Sequence, residues 1–287
     1  MKTLVSKSLS LLVLVVAISC GPKAKKEETT EPAVVEEMNK APMYNIEDPQ
    51  SILAAIEHAS GGWNDLWNKK NVSYDLDYRV PANNVADVST EYYFFENEAS
   101  LAKYSEHKVN FMQDKEGEVT QYFDGANTKV MVNGKISEDE QLNAVSNFLR
   151  RTNYYWFAMA YKLNDKGSTV SYEGQESYND IDYDILKISY DATVTGKNQN
   201  DFYIVYVNPE TKMIDRLFFS LPFLGVEEPV IAANFEYENI DGQMISTTRS
   251  FFIPTEEGYA EEPSIYETMT NIKFNNDFTP ASLISQF

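Results

Sequence analysis

Residues 72–80, VSYDLDYRV, alternate between apolar and polar side chains without a break. This period of two predicts a β-strand with one buried face, because successive side chains of a strand point to opposite faces of its sheet. The apolar face consists of Val72, Tyr74, Leu76, Tyr78 and Val80.

The same alternation recurs on both sides of this stretch, between turn sequences such as Asn133-Gly134, Asn208-Pro209 and Asp241-Gly242. Strands joined by tight turns must pair antiparallel. A sheet of about a dozen strands does not stay flat, so the sequence predicts a mainly β (α+β) fold in which one large antiparallel sheet curls into a half-barrel. Further strands are expected at residues 88–96, 100–106, 108–113, 118–124, 128–133, 168–173, 181–191, 201–208, 212–220, 229–239, 243–253 and 264–274.

Two helical segments interrupt the strand pattern. The first begins at Asp48-Pro49 and ends before Gly61-Gly62, with apolar residues at helical spacing between them. The second covers residues 138–163 and contains the uncharged run 154–161, YYWFAMAY. A segment that is apolar on all sides is buried or covers something apolar. The second helix is therefore expected to form a lid over the concave face of the sheet.

The N-terminus predicts the compartment. Lys2 and Lys7 precede an apolar run over residues 9–18, which is too short to span a bilayer and is typical of a secretory signal peptide. The run VAISC at residues 16–20 resembles a bacterial lipobox and ends at Cys20, the single cysteine of the chain. The resemblance implies that residues 1–19 are a lipoprotein signal peptide and that Cys20 carries the lipid anchor.

Residues 20–48 are rich in Lys, Glu, Thr, Pro and Ala, and are expected to be the lipidated cysteine and a disordered tether. Residues 49–287 then form one domain. Together these features predict a monomeric lipoprotein of the cell envelope. It would be held at the outer membrane through Cys20, on either the periplasmic face or the cell surface.

The composition excludes several function classes. A formal net charge of −20 repels phosphate backbones, so nucleic acids are not expected as partners. One cysteine allows neither an internal disulfide nor a thiolate zinc site. Neither of the two histidines, His58 and His107, lies in a metal-binding or nucleophile motif, and His107 is expected to be solvated. No metal, cofactor or catalytic residue is predicted.

Pairs of carboxylates remain a candidate for enzymatic chemistry, because such pairs need not be close in sequence. Asp180, Asp182 and Asp184 are spaced by two and would share a strand face, as would Glu236 and Glu238. A solvated sheet face explains this spacing without any catalytic role.

The whole pattern resembles the LolA/LolB-like group of bacterial envelope proteins and, more closely, a family of Bacteroidota envelope lipoproteins. The shared features are the lipobox, the Gly61-Gly62-Trp63 opening, the aromatic middle helix, the hairpin YVNPET at residues 206–211 and the closing FNNDF at residues 274–278. This resemblance implies an incomplete antiparallel barrel with an α-helical lid, which encloses an apolar cavity for acyl chains.

Aromatic side chains are the remaining clue to function. Four adjacent rings at residues 92–95 place aromatic groups on both faces of one strand. The expected function is non-catalytic binding of a lipid, an acylated protein or another hydrophobic ligand in the concave face. The residues expected to line the cavity are Trp156, Phe157 and Met159 from the helix, and Phe94, Phe202 and Phe219 from the sheet.

The alternative is a solid-cored surface module that binds an envelope protein or a glycan. It predicts an exposed aromatic patch around residues 219–223 and no internal cavity. A well-packed core under the helix would explain the aromatic strands equally well under this alternative.

Overall fold

The computed structural model describes residues 41–114, 116–196 and 200–285. The predicted signal peptide, Cys20 and most of the predicted tether lie outside these residues. Six helices are described: α1 (Pro49–Ala59), α2 (Trp63–Asn68), α3 (Glu140–Phe157), α4 (Met159–Lys162), α5 (Ala192–Thr195) and α6 (Pro280–Ile284).

The strands form one antiparallel sheet of 13 strands. They are β1 (Asn71–Val80), β2 (Val85–Phe94), β3 (Ser100–His107), β4 (Val119–Phe123), β5 (Thr128–Val132), β6 (Lys135–Ile136), β7 (Ser168–Tyr178), β8 (Ile181–Tyr190), β9 (Tyr203–Val207), β10 (Ile214–Leu221), β11 (Val226–Ile240), β12 (Gln243–Phe252) and β13 (Ile265–Phe274).

The strand order is β6-β5-β4-β3-β2-β1-β13-β12-β11-β10-β9-β8-β7. The sheet therefore consists of two meanders, β1–β6 and β7–β13, which meet where β1 pairs with β13. The chain leaves the first meander at one sheet edge and enters the second at the other. Helices α3 and α4 make this connection, so they cross the sheet from edge to edge.

The sheet curls around the helix. Near the end of α3, the ring of Tyr154 lies 5.6 Å from that of Tyr93 on β2, and the ring of Phe157 lies 5.6 Å from that of Tyr74 on β1. Trp156, between them in sequence, contacts Phe219, Phe235 and Phe251 on β10, β11 and β12. One helix end reaches both meanders because they curve toward each other. The predicted half-barrel with a helical lid is confirmed.

Helices α1 and α4 fill one end of the half-barrel. Ile52, Leu53 and Ile56 of α1 are buried in the same cluster as Met159. The turn after α1 lies against the β11–β12 turn, where a side chain at Gly61 would collide with the carbonyl oxygen of Gly242. Gly61 also has a φ of +110°, a conformation that favours glycine. This end of the half-barrel is thus closed by close backbone packing.

One predicted strand is wrong. Residues 108–113 form a bent loop, because Asp87 on β2 accepts hydrogen bonds from the backbone N–H groups of Val109 and Asn110 at 2.8 and 2.9 Å. Those amides therefore do not join a strand ladder. His107, expected to be solvated, is only 4% exposed; its ring stacks on Phe111 and its Nε2 lies 2.9 Å from the carbonyl oxygen of Gly117.

The predicted tether overlaps the folded domain. Tyr44 packs against the core, and its hydroxyl donates to the Asp184 carboxylate at 2.6 Å. Burial and this hydrogen bond raise the pKa of the Tyr44 phenol above its ordinary value. Residues from about Tyr44 onward are thus part of the domain.

Candidate ligand cavity

An apolar hollow lies between α3 and the concave face of the sheet. Its volume is 280 Å³. Leu76, Tyr78 and Tyr104 form one wall, and Trp156 with Leu149 and Phe148 of α3 form the roof. The opposite wall comes from β10 to β13 and the segments that join them: Phe219, Leu221, Leu224, Val226, Ile231, Phe251, Ile253 and Ile265. Both meanders therefore contribute to one apolar surface.

The mouth of this hollow exposes apolar side chains. Leu224, in the turn after β10, is 65% exposed, and Ile253, after β12, is 45% exposed. Both residues also line the hollow. The apolar lining therefore continues from the interior to the protein surface, which gives a hydrophobic ligand an apolar route of entry.

A second hollow, of mixed polar and apolar lining, borders the same part of α3 and has a volume of 560 Å³. Its lining includes Asn147, Arg151, Lys162, Asp201 and Ser220. The two hollows share wall residues from α3 and β10: Phe148, Thr152, Trp156, Phe219 and Leu221. The lining of this mixed hollow also includes the rings of Tyr154, Tyr155 and Tyr203, so α3 borders one apolar and one mixed compartment.

A buried ion pair attaches α3 to the first meander. Arg150 and Glu91 have no exposed side-chain surface, and the Arg150 Nη2 donates to Glu91 Oε1 at 2.9 Å. A second guanidinium nitrogen bonds the other oxygen of Glu91, and Arg150 Nε donates to Gln121 Oε1 at 3.0 Å. Burial, the largest cause, lowers the pKa of Arg150, but the charge and hydrogen bond of Glu91, together with Tyr93 and Tyr104, outweigh it and raise that pKa. The guanidinium is thus charged and held at several points.

A second buried pair supports the roof from the other meander. Arg249 on β12 donates to Glu267 on β13 at 2.6 Å, and these two residues are cross-strand neighbours. Its other terminal nitrogen donates to the carbonyl oxygen of Trp156 at 3.3 Å. Arg249 thereby positions the end of α3, from which the Trp156 ring reaches both hollows.

Asp87 shapes one end of the apolar hollow. It lines the cavity, is 4% exposed, and accepts hydrogen bonds from the loop that follows β3. Burial raises the pKa of its carboxyl group, although the backbone N–H groups of Val109 and Asn110 act against this rise. Its partners there are neutral N–H donors, which fix the loop beside the cavity.

Two of the six predicted cavity residues line the hollows. Trp156 and Phe219 lie in both linings, and their rings are 5.1 Å apart in an edge-to-face arrangement. Phe157 and Met159 are buried on the concave side, but in closed parts of the core. Phe157 stacks between Tyr74 and Phe95. These two residues support the roof from within the core.

The predictions for Phe94 and Phe202 are wrong. Phe94 lies on the outer face, where its ring packs 5.2 Å from Phe278 and in a cluster with Leu283 of α6. Phe202 is 39% exposed and precedes β9. The next residue of the chain takes the inner position in each case: Phe95 packs on Phe157, and Tyr203 lines the mixed hollow.

Carboxylates do not converge on a metal site in the described part of the chain. No group of three or more histidine, aspartate or glutamate side chains there could hold a metal ion. Asp184, expected on a solvated face, is 2% exposed and accepts from Tyr44, Tyr172 and Gln175 at 2.6, 3.0 and 3.1 Å. Its hydrogen bonds give it a structural role.

A family model matches residues 61–227, from the turn after α1 to the start of β11. The chain belongs to the DUF6503 family. The family is described as one of unknown function, so this membership establishes relationship and no activity. A comparison with curated proteins gives no match.

Solved structures share the fold of this DUF6503 chain. A DUF1329 family protein from Desulfovibrio piger ATCC 29098 superposes with a TM-score of 0.50 at 10% identity, covering 84% of this chain and 98% of that one. At such low identity the similarity concerns the fold alone.

Two weaker similarities have TM-scores below that of the D. piger protein. A putative outer membrane lipoprotein-sorting protein domain from Vibrio parahaemolyticus has a TM-score of 0.46 at 9% identity, covering 84% and 98% of the two chains. A LolA superfamily protein from Nitrosomonas europaea has a TM-score of 0.42 at 14% identity, covering 76% and 95%.

Over the described residues of the DUF6503 chain, no helix combines the length and the apolar character that a membrane-spanning helix requires.

Proposed function

We propose that this protein binds an apolar or acylated ligand in the apolar hollow, without catalysis. The observation that supports this most directly is the continuous apolar surface between α3 and the concave face, open at Leu224 and Ile253. Trp156 and Phe219 would contact the ligand from the roof and from the sheet.

The volume of the apolar hollow favours a ligand with a single acyl chain. Ligand sites usually have volumes of about 300–1,000 Å³, and the hollow, at 280 Å³, is close to the lower end of that range. An acyl chain gains about 0.8 kcal/mol for each buried CH₂ group. One chain buried over most of its length would therefore bind with useful affinity.

The proposal includes the predicted anchor. Acylation of Cys20 would hold the protein at the membrane of the cell envelope, with the domain beginning near Tyr44. The anchored protein would then bind its ligand while it stays at the membrane.

The alternative of a solid-cored surface module has less support. It expects an exposed aromatic patch around residues 219–223, but Phe219 is buried against Trp156 and Phe251. The hollow itself is also contrary to a solid core.

The test uses the full chain with Cys20→Ala, so that any lipid detected is not the protein's own anchor. Native mass spectrometry and organic extraction would identify a co-purified lipid, and the neutral dye Nile red would report binding by fluorescence. Thr152→Trp should fill the hollow from the roof and reduce Nile red binding by about tenfold, since loss of buried contact area weakens apolar binding.

Thr152→Val is the matched control, because it changes the same roof position but leaves the volume free. It should bind the dye as the parent does. The proposal is wrong if the parent carries no lipid and does not bind Nile red, or if Thr152→Trp binds the dye as tightly as Thr152→Val.

A further inference from the structure

The mouth of the apolar hollow is bordered by acidic chain segments. Residues 222–230, which follow β10, and residues 253–264, which join β12 to β13, flank its lining residues Leu224, Val226 and Ile253. These segments contain no lysine, arginine or histidine. Their charged residues are Glu227, Glu228, Glu256, Glu257, Glu261 and Glu262.

These glutamates lie close enough to act on a charge at the mouth. Glu227 and Glu228 directly follow the lining residue Val226, and the other four lie within four residues of Ile253 or Ile265. Four residues of chain span at most about 14 Å. This is comparable with the Debye length of about 10 Å at 0.1 M salt, so several of the charges act together at low salt.

The lining of the interior contributes no positive charge. The ionisable carboxyl groups that line the hollow are those of Asp87 and Glu267, and none of the lining residues is a lysine, arginine or histidine. Arg216 on β10 donates to Tyr178 and Asn234 and not to a carboxylate, but it lies with Phe218 on the outer face of the sheet. Three other cations near the hollow are paired with carboxylates. Arg249 pairs with Glu267 at 2.6 Å, Arg79 pairs with Asp77 at 2.7 Å, and Lys108 pairs with Glu116 at 2.9 Å.

We infer that the hollow selects amphiphiles with a cationic head group over those with an anionic one. This inference rests on the proposed function, because the apolar chain must first be bound in the hollow. The head group then stays at the mouth among the glutamates. A cation is attracted there, whereas a carboxylate, sulfate or phosphate head is repelled.

The experiment compares three amphiphiles with the same ten-carbon chain: decyltrimethylammonium, decyl maltoside and decyl sulfate. Each is used below its micelle concentration to displace Nile red from the full-length Cys20→Ala protein. At low salt, the cationic amphiphile should displace the dye at a concentration about tenfold lower than the anionic one. The neutral one should fall between them, and the ratio should shrink at high salt.

A charge variant locates the effect. The quadruple variant Glu256→Gln, Glu257→Gln, Glu261→Gln and Glu262→Gln removes four charges near the mouth. It should reduce the ratio of cationic to anionic affinity by about threefold at low salt and leave decyl maltoside unchanged. The control quadruple Glu47→Gln, Glu138→Gln, Glu210→Gln and Glu236→Gln changes the net charge equally at exposed positions outside these segments and should keep the ratio.

The outcomes separate the two proposals. If none of the three amphiphiles displaces the dye, the proposed function itself fails. If decyl maltoside displaces it but the cationic and anionic compounds are equally effective, or the anionic one is better, the charge selection is wrong. Equal effects of the two quadruple variants would also overturn it, since net charge alone would then explain the preference. Melting curves by circular dichroism verify that both variants are folded.

Discussion

Helix α3 contacts the two sides of the half-barrel in different ways. Toward β1–β5 it is held by the fully buried Arg150–Glu91 pair and by stacked rings such as Phe157 on Tyr74. Toward β9–β13 its contacts are mainly between rings, Tyr155 with Tyr203 and Trp156 with Phe219, and one hydrogen bond runs from Arg249 to the Trp156 carbonyl oxygen. The mixed hollow also borders this second side.

The difference indicates which contacts a ligand can displace. Separating a buried ion pair leaves charges without partners in a medium of low polarity, which is costly. Ring contacts can be replaced by contacts with an apolar ligand, since the lost burial is regained. We therefore expect the β1–β5 side to act as the fixed support of α3 and the β9–β13 side to adapt to the ligand.

The largest expected effect comes from breaking the fixed side. Arg150→Met leaves Glu91 buried without its cation, and should lower the free energy of unfolding by about 3–5 kcal/mol. Urea unfolding followed by far-UV circular dichroism measures this change. Arg151 is the exposed neighbour of Arg150, and Arg151→Met is the control. It should lower the free energy of unfolding far less.

A double variant sharpens this prediction. Glu91→Leu combined with Arg150→Met removes both charges, and should recover much of the stability that Arg150→Met alone loses. A double variant that is as unstable as the single one would show that the other hydrogen bonds of Arg150, and not its charge pairing, hold the helix.

A smaller effect on stability, combined with a measurement of Nile red binding, distinguishes the β1–β5 side from the β9–β13 side. Trp156→Leu and Phe157→Leu should each reduce stability by about 2 kcal/mol, because both remove buried ring surface. Only Trp156→Leu should weaken Nile red binding, since Trp156 lines the hollows and Phe157 is enclosed by the core. Equal losses of dye affinity in the two variants would contradict the proposed division between support and binding surface.

The smallest expected effect is a pH dependence of stability, which arises from Asp87 on the β1–β5 side. Burial raises the pKa of Asp87, whereas hydrogen bonds from Asn127 and Ala126 lower that of Asp124. A carboxyl group with a raised pKa binds its proton more tightly in the folded state. Its contribution to stability is therefore present at low pH and is lost as the pH rises through the folded pKa.

Carbon-13 NMR titration of the two side chains measures this contrast. The Asp87 midpoint should lie above the ordinary aspartate value of about 3.9, and the Asp124 midpoint below it. The reverse order would mean that the Asp87 carboxylate is solvated, and that this end of the hollow is open to water.

Most of the strands could be predicted because alternation and turn residues are local. The predicted strand 72–80 corresponds to β1 (Asn71–Val80), and the predicted helix 138–163 corresponds to α3 and α4. The failure at residues 108–113 has a non-local cause. The amides of Val109 and Asn110 bond the side chain of Asp87, more than twenty residues away, and no local pattern contains that contact.

The cavity residues were harder to predict because the face of a strand depends on register. The four rings at residues 92–95 supply aromatic groups to both faces, so the choice of Phe94 over Phe95 had no local basis. Helix α6, which covers Phe94 on the outer face, was not predicted. Arg150 was missed because an arginine in an amphipathic helix is typical of a solvated face. Its partner Glu91, an acidic residue beside an aromatic run, was the one available clue.

The pairing of β1 with β13 has a consequence for biogenesis. Its partners, such as Val72 and Phe274, lie about two hundred residues apart in the chain. The join between the two meanders therefore cannot form until the chain has been synthesised through β13. Contacts of such long sequence separation make folding slow, and until then β1 and β13 are unpaired strand edges that can associate with other chains. The nascent protein should thus depend on protection by chaperones until its last long strand is available.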